Sequence, residues 1–135
     1  MRTSTFNYIK DILGDYYKTD DYIRQRELEL RHPYKETDIN GDIQGKGTNS
    51  ATTERLAITI ATDRRLWNLE RNRNIIQSCL AESDEQTQVI TEELYLKNRP
   101  TLTLLGVAQQ LFISKNTAYR LRNAFFERVA EELGL

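Results

Sequence analysis

Residues 101–133 read TLTLLGVAQQLFISKNTAYRLRNAFFERVAEEL. Two runs in this stretch repeat apolar residues at helical spacing. The first carries Leu104, Val107, Ala108 and Leu111; the second carries Ala118, Leu121, Phe125, Val129 and Leu133. Thr103 and Ser114 stand just ahead of the two runs, where a side-chain oxygen satisfies the first free N–H groups of a helix. Ala108 is small where two helices would cross closely, and Ile113 fills the corner between them. Two short helices with a tight turn and an apolar lock are the pattern of a helix-turn-helix. Its outward set is Lys115, Asn116, Thr117, Tyr119, Arg120 and Asn123, donors and acceptors of the kind that read base edges or hold phosphates. The plain alternative is an αα-corner with a solvated polar face. Phe112 stands where such a turn commonly has glycine. A bulky residue with positive φ is strained, so the expectation is a turn with negative φ, with Phe112 buried or in contact.

Working back from this stretch, Ser83 and Gln86 fit the S-x-x-Q capping box. The helix they start carries Val89, Ile90, Leu94 and Tyr95 and ends near Asn98–Arg99–Pro100. Charge is segregated here. From Leu94 to Phe126 there is no Asp or Glu, while Lys97, Arg99, Lys115, Arg120 and Arg122 give +5. Just before it, residues 81–93 carry Glu82, Asp84, Glu85, Glu92 and Glu93 with no Lys or Arg, giving −5. DNA phosphates would select against acids on a docking face. The acidic stretch suits a solvated helix start, with a docking patch for a basic partner as the alternative.

Residues 51–82 contain no proline or glycine and read as one long helix, roughly 48 Å at 1.5 Å per residue. Positions 59, 62, 66, 69, 73, 76 and 80 alternate by three and four and hold Thr59, Thr62, Leu66, Leu69, Arg73, Ile76 and Leu80. That is coiled-coil spacing, though polar residues interrupt it. Leu56, Ile60 and Trp67 mark a second face. A helix apolar on two faces is buried on two sides, by its own chain or by self-association through Leu66, Leu69, Arg73, Ile76 and Leu80. Residues 35–50 (KETDINGDIQGKGTNS) are polar and glycine-rich and read as a flexible linker. Gly45–Thr48 falls short of a phosphate-binding loop, because Asn40 and Gly47 occupy its glycine and Ser/Thr positions. Asp38, Asn40 and Asp42 fall short of a calcium loop, because Ile43 and Asn49 occupy its glycine and glutamate positions. Residues 1–34 read as a helical segment with Ile9, Ile12, Leu13, Tyr16 and Tyr17, then Ile23, Leu28 and Leu30, stopped by Pro33. Its tyrosines Tyr8, Tyr16, Tyr17 and Tyr22 half-bury against a partner helix or form a docking surface.

The whole chain is 135 residues, the size of one domain. Two prolines and six glycines favour long helices over many short strands. One cysteine, Cys79, excludes an intramolecular disulfide, and with the lone His32 it cannot make a zinc site. No run of about 18 apolar residues exists, so no transmembrane helix is expected. The expectation is an all-α cytoplasmic protein without metal or cofactor. An enzyme is the least favoured class, since there is no second histidine, metal cluster or nucleotide loop. The net charge of −1 argues against coating nucleic acid by bulk charge but is a sum over segregated parts.

The stretch 83–132 resembles region 4 of sigma factors, in the Leu94–Tyr95 pair, the turn through 97–101 and the run quoted above. The whole chain resembles the RinA/ArpU-type phage transcriptional activators. The agreement lies in DYIRQRELEL (21–30), His32–Pro33–Tyr34, a glycine-rich linker, a long charged helix and Ser114–Lys115–Asn116–Thr117–Ala118–Tyr119–Arg120–Leu121–Arg122–Asn123. Phe112 and the pair Leu105–Gly106 depart from that pattern. The resemblance implies an activator of late phage genes that binds double-stranded promoter DNA beside bacterial RNA polymerase. Lys115, Asn116, Tyr119, Arg120 and Asn123 are the expected base contacts. Lys97, Arg99, Thr103, Ser114, Thr117 and Arg122 are the expected phosphate contacts. A single module of this size should bind weakly, so a homo-oligomer is expected. The alternatives are a small terminase-like DNA-packaging adaptor and a polymerase- or sigma-binding interaction module.

Overall fold

A computed structural model describes residues 1–31 and 49–135. Among these the protein is all-α, with no strand. Its helices are α1 (Thr3–Asp15), α2 (Thr19–Arg31), α3 (Asn49–Thr62), α4 (Arg64–Glu82), α5 (Glu85–Thr91), α6 (Leu104–Gln110) and α7 (Lys115–Leu133). A 3-10 turn, Tyr16–Lys18, follows α1, and a π-helical turn, Glu92–Leu96, extends α5. Residues 35–48 of the expected linker, His32–Pro33–Tyr34 and most of both loop motifs lie outside the described residues. The chain forms two compact units, Met1–Lys18 with Asn72–Leu135, and Thr19–Arg71.

The larger unit has two apolar clusters, and α7 belongs to both. Its second half places Phe125, Phe126, Val129, Ala130 and Leu133 against Ile9 and Leu13 of α1, Ile76 and Cys79 of α4, and Leu96. Its first half contributes Ala118 to a cluster with Ile90 of α5 and Val107 and Ala108 of α6. Full burial of a large aliphatic or aromatic side chain is worth about 1.5–3 kcal/mol, so the two clusters fix α7 along its length. Residues 83–135, expected from the sequence to form the helix-turn-helix DNA-binding domain, therefore share their core with α1 and the end of α4. Arg128 of α7 also pairs with Glu82 of α4. Tyr17 donates to Glu92 at 2.5 Å, and that bond, with some burial, pushes its phenol up to about 12.

The start of α5 differs from the expected capping box by one residue. Asp84, not Ser83, is the cap, accepting the Thr87 N–H at 2.8 Å. Hydrogen bonds from the Thr87 hydroxyl and N–H hold its carboxyl below the usual range. The Ser83 hydroxyl instead donates to the Cys79 carbonyl at 2.6 Å, which closes α4.

In the smaller unit, Thr19, Ile23 and Leu66 are buried. The single helix expected over 51–82 is two helices, broken at Asp63. One carboxylate oxygen of Asp63 accepts the Leu66 N–H at 2.9 Å and the Arg26 Nε–H at 3.3 Å; the other accepts Arg26 Nη2–H at 2.9 Å. Arg26, and then the Leu66 N–H, hold this carboxyl below its ordinary value. A carboxylate that caps α4 and takes a guanidinium fork has two strong uses outside the helical ladder. The break interrupts the three-four row. Thr59 is exposed and the side chain of Thr62 is not among those described. Leu66 and Ile76 are buried within the chain, and Leu80 packs at the margin of the α7 core. Leu66 and Ile76 are therefore unavailable to a second chain, while Leu69 and Arg73 remain partly exposed. On the other face Leu56 and Ile60 are half-buried, and Trp67 is exposed with Arg71 5.3 Å from its ring centre. Of the tyrosines, Tyr8 and Tyr17 are exposed and Tyr16 and Tyr22 half-buried.

Candidate nucleic-acid interface

The turn between α6 and α7 is closed by two backbone bonds. The Ile113 N–H donates to the Ala108 carbonyl at 3.0 Å, and the Phe112 N–H to the Gln109 carbonyl at 3.3 Å. This pair is the Schellman closure, whose middle residue is left-handed and usually glycine. Phe112 holds that place at φ 58°, and its side chain is 94% exposed. The expected negative φ is corrected, and of the two places expected for the side chain, buried or in contact, burial is ruled out. The left-handed conformation costs a non-glycine residue about 1–2 kcal/mol. Two carbonyls satisfied at once, with Ile113 packed beside the buried Ala108, outweigh it.

Both expected caps are present. Thr103 Oγ1 accepts the Gly106 N–H at 3.1 Å. Ser114 Oγ accepts the Thr117 N–H at 3.1 Å and lies 2.8 Å from the Thr117 hydroxyl. The Thr103, Ser114 and Thr117 hydroxyls, expected at phosphates, thus have helix-starting roles of their own. Ala118 is buried, and Leu121 packs at the edge of the same cluster. That phase leaves Lys115, Asn116, Tyr119, Arg120 and Asn123 on the exposed side. Glu127, exposed one turn beyond Asn123, is the first carboxylate met along α7. It borders an open cleft of about 410 Å³ that Phe6 and Arg122 also line.

Arg122 stands apart from the other expected phosphate contacts. Its guanidinium lies 5.2 Å from the ring centre of Phe6 and 4.9 Å from that of Tyr119. Its Nε–H and Nη2–H both donate to Asn123 Oδ1, at 3.1 and 2.9 Å. Lys115 Nζ lies 5.7 Å from the Tyr119 ring on its other side in sequence. Phe6 in turn stacks on the buried Phe126, centre to centre 4.4 Å at 17°. A continuous ladder therefore runs from the core through Phe6, Arg122 and Tyr119 to Lys115. Phe6 is the member that sequence reasoning missed; its one signal is helical spacing three residues before Ile9. Lys97 pairs with Glu93 at 2.7 Å, and Arg99 is exposed between α5 and α6.

Among the described residues, no group of three His, Cys, Asp or Glu side chains could hold a metal ion. No described helix is long and apolar enough to cross a membrane.

Residues 6–131 match the family described as "Protein of unknown function (DUF722)". The chain is 24% identical over 134 residues to the transcriptional activator RinA of Staphylococcus phage phi11, an alignment covering 99% of this chain and 94% of that protein. No solved structure matches the chain. With one family model spanning α1 to α7 and a phage relative aligned almost end to end, the chain belongs to the DUF722 family and is RinA-like.

Proposed function

We propose that this protein is a sequence-specific double-stranded DNA-binding regulator that activates late phage genes near a promoter, together with bacterial RNA polymerase. The observation that carries the DNA half is the exposed, acid-free face of the first half of α7, held behind a closed turn. The relative named a transcriptional activator supports the regulatory half. In this reading α7 enters the major groove with Lys115, Asn116, Tyr119, Arg120 and Asn123 toward base edges. The first backbone N–H groups of α7, beside Ser114 and Thr117, approach one phosphate strand, as helix N-termini do. Thr103 and Arg99 flank them, and Lys97 joins when it leaves Glu93. The protein works on DNA in the host cytoplasm.

One such module buries only about 600–1,000 Å² on DNA, and five basic residues on its acid-free stretch give a modest electrostatic contribution. A second subunit or the polymerase supplies the remaining affinity. The test is selection of bound duplexes from a random pool at two salt concentrations. A recurring motif whose enrichment survives the higher salt supports base reading. Enrichment of no motif, or binding that vanishes uniformly with salt, refutes it.

A further inference from the structure

We infer that Arg122 is a positioning residue which, pinned by Phe6 of α1, makes Asn123 a donor-only reader of the base edge; this rests on the DNA-binding reading above. Asn123 presents an amide with one acceptor oxygen and two N–H donors. Both lone pairs of that oxygen are taken by Arg122 Nε–H and Nη2–H at 3.1 and 2.9 Å. Two N–H donors can face only the oxygen, so the orientation of the amide is set by chemistry. What Asn123 has left for a ligand is its –NH2.

This changes which base it can read. The usual asparagine–adenine pair needs the amide oxygen to accept from adenine N6 while the –NH2 donates to N7. Here the oxygen is closed, and adenine N6–H2 would face a donor. Guanine offers acceptors at both N7 and O6, which match a donor-only amide. The pin is what keeps the oxygen closed. The Arg122 guanidinium lies over the rings of both Phe6 and Tyr119, within the range of cation–π attraction. Phe6 is itself stacked on Phe126, which is 1% exposed. For Arg122 to reach a phosphate, it would leave two rings and give up both bonds to the Asn123 oxygen. The first helix of the chain thus acts on specificity without touching DNA.

Duplex selection with the full chain and four variants tests this. Asn123→Ala identifies the base pair that Asn123 reads, as the position that loses preference. At that position the parent should select guanine. Arg122→Met should shift it at least tenfold toward adenine, with the salt dependence unchanged and no comparable shift outside the positions read by Asn123 and by Tyr119, whose ring Arg122 also touches. Arg122→Lys, which keeps the charge but loses the fork, should do the same if Arg122→Met folds poorly. Phe6→Leu, which keeps apolar bulk but removes the ring, should give the same shift in smaller measure. Three results overturn the inference while DNA binding stands: adenine selected by the parent at that position, no position altered by Asn123→Ala, or a uniform loss in Arg122→Met with the salt slope reduced by about one, the mark of a phosphate contact. A parent chain that enriches no sequence overturns the DNA-binding reading, and this inference with it.

Discussion

Replacing Phe112 by glycine should stabilise the protein. Phe112 sits at φ 58° in the Schellman closure, with its side chain 94% exposed. Glycine removes the left-handed penalty, about 1–2 kcal/mol. It adds back unfolded-chain entropy of about 0.4–1 kcal/mol. The ring loses little burial: 6% of a phenylalanine side chain is on the order of 10 Å², or about 0.3 kcal/mol at about 25 cal/mol per Å². The net expectation is a gain of about 0.5 kcal/mol. Phe112→Ala keeps the strain and loses the same small contact, so it should be neutral or slightly destabilising, and the two variants should differ by about 0.5–1 kcal/mol. Urea unfolding followed by circular dichroism gives both values, with an unchanged m confirming that the denatured state is not altered. If Phe112→Gly and Phe112→Ala destabilise equally and by more than about 1 kcal/mol, the ring makes a contact and the strain argument fails.

Three further outcomes are expected. Arg120→Ala should weaken binding to the selected DNA site by about 1–3 kcal/mol and relax preference at one base pair; an unchanged affinity by fluorescence anisotropy would remove Arg120 from the interface. Thr91 is 1% exposed, and its hydroxyl has no hydrogen-bond partner among the described residues. Thr91→Val should therefore raise stability by about 1 kcal/mol, and a loss in chemical denaturation would show that the hydroxyl is satisfied. Tyr17, held at about 12 by Glu92, binds its proton more tightly folded than unfolded. Its contribution is complete below pH of about 10, the ordinary tyrosine value, and is lost as pH rises through about 12. Ultraviolet titration should show a late-ionising component that Glu92→Gln moves back toward the ordinary tyrosine value; a titration that Glu92→Gln leaves unchanged would contradict the Tyr17–Glu92 bond.

The helical class, both caps at Thr103 and Ser114, and the packing of Ala108, Ala118 and Ile113 were legible because each depends on neighbours a few residues away. Phe112 was misread for an instructive reason. Intrinsic conformational preference pointed to negative φ, yet the backbone bonds of the closure decide the geometry, and they tolerate any side chain that can face solvent. The break at Asp63 falls in a run without glycine or proline, so the composition of 51–82 pointed to one helix. What fixed the break was Arg26, which no local pattern connects to residue 63. The cap is Asp84 rather than the expected Ser83 because the Ser83 hydroxyl is taken by the Cys79 carbonyl, a bond to the preceding helix that the S-x-x-Q pattern does not show. At the candidate interface, helical phase placed the exposed residues of α7, whereas the pairing of Arg122 with Phe6 is tertiary and left no trace in spacing.

The core that α7 shares with α1 also sets the timing of folding. Ile9 and Val129 meet in one cluster although they lie about 120 residues apart in the chain. At translation rates of about 5–20 residues per second, α1 waits roughly 6–24 s for its partner. Until α7 is made, Phe6, Ile9 and Leu13 have no Phe126 or Val129 to cover them. The nascent chain thus carries α1 covered at most by Ile76, Cys79 and Leu96 until α7 is made, and the ladder that carries Arg122 is assembled last. A cell expressing this protein completes the exposed face of α7 only when translation is nearly finished, so prematurely terminated chains should be aggregation-prone.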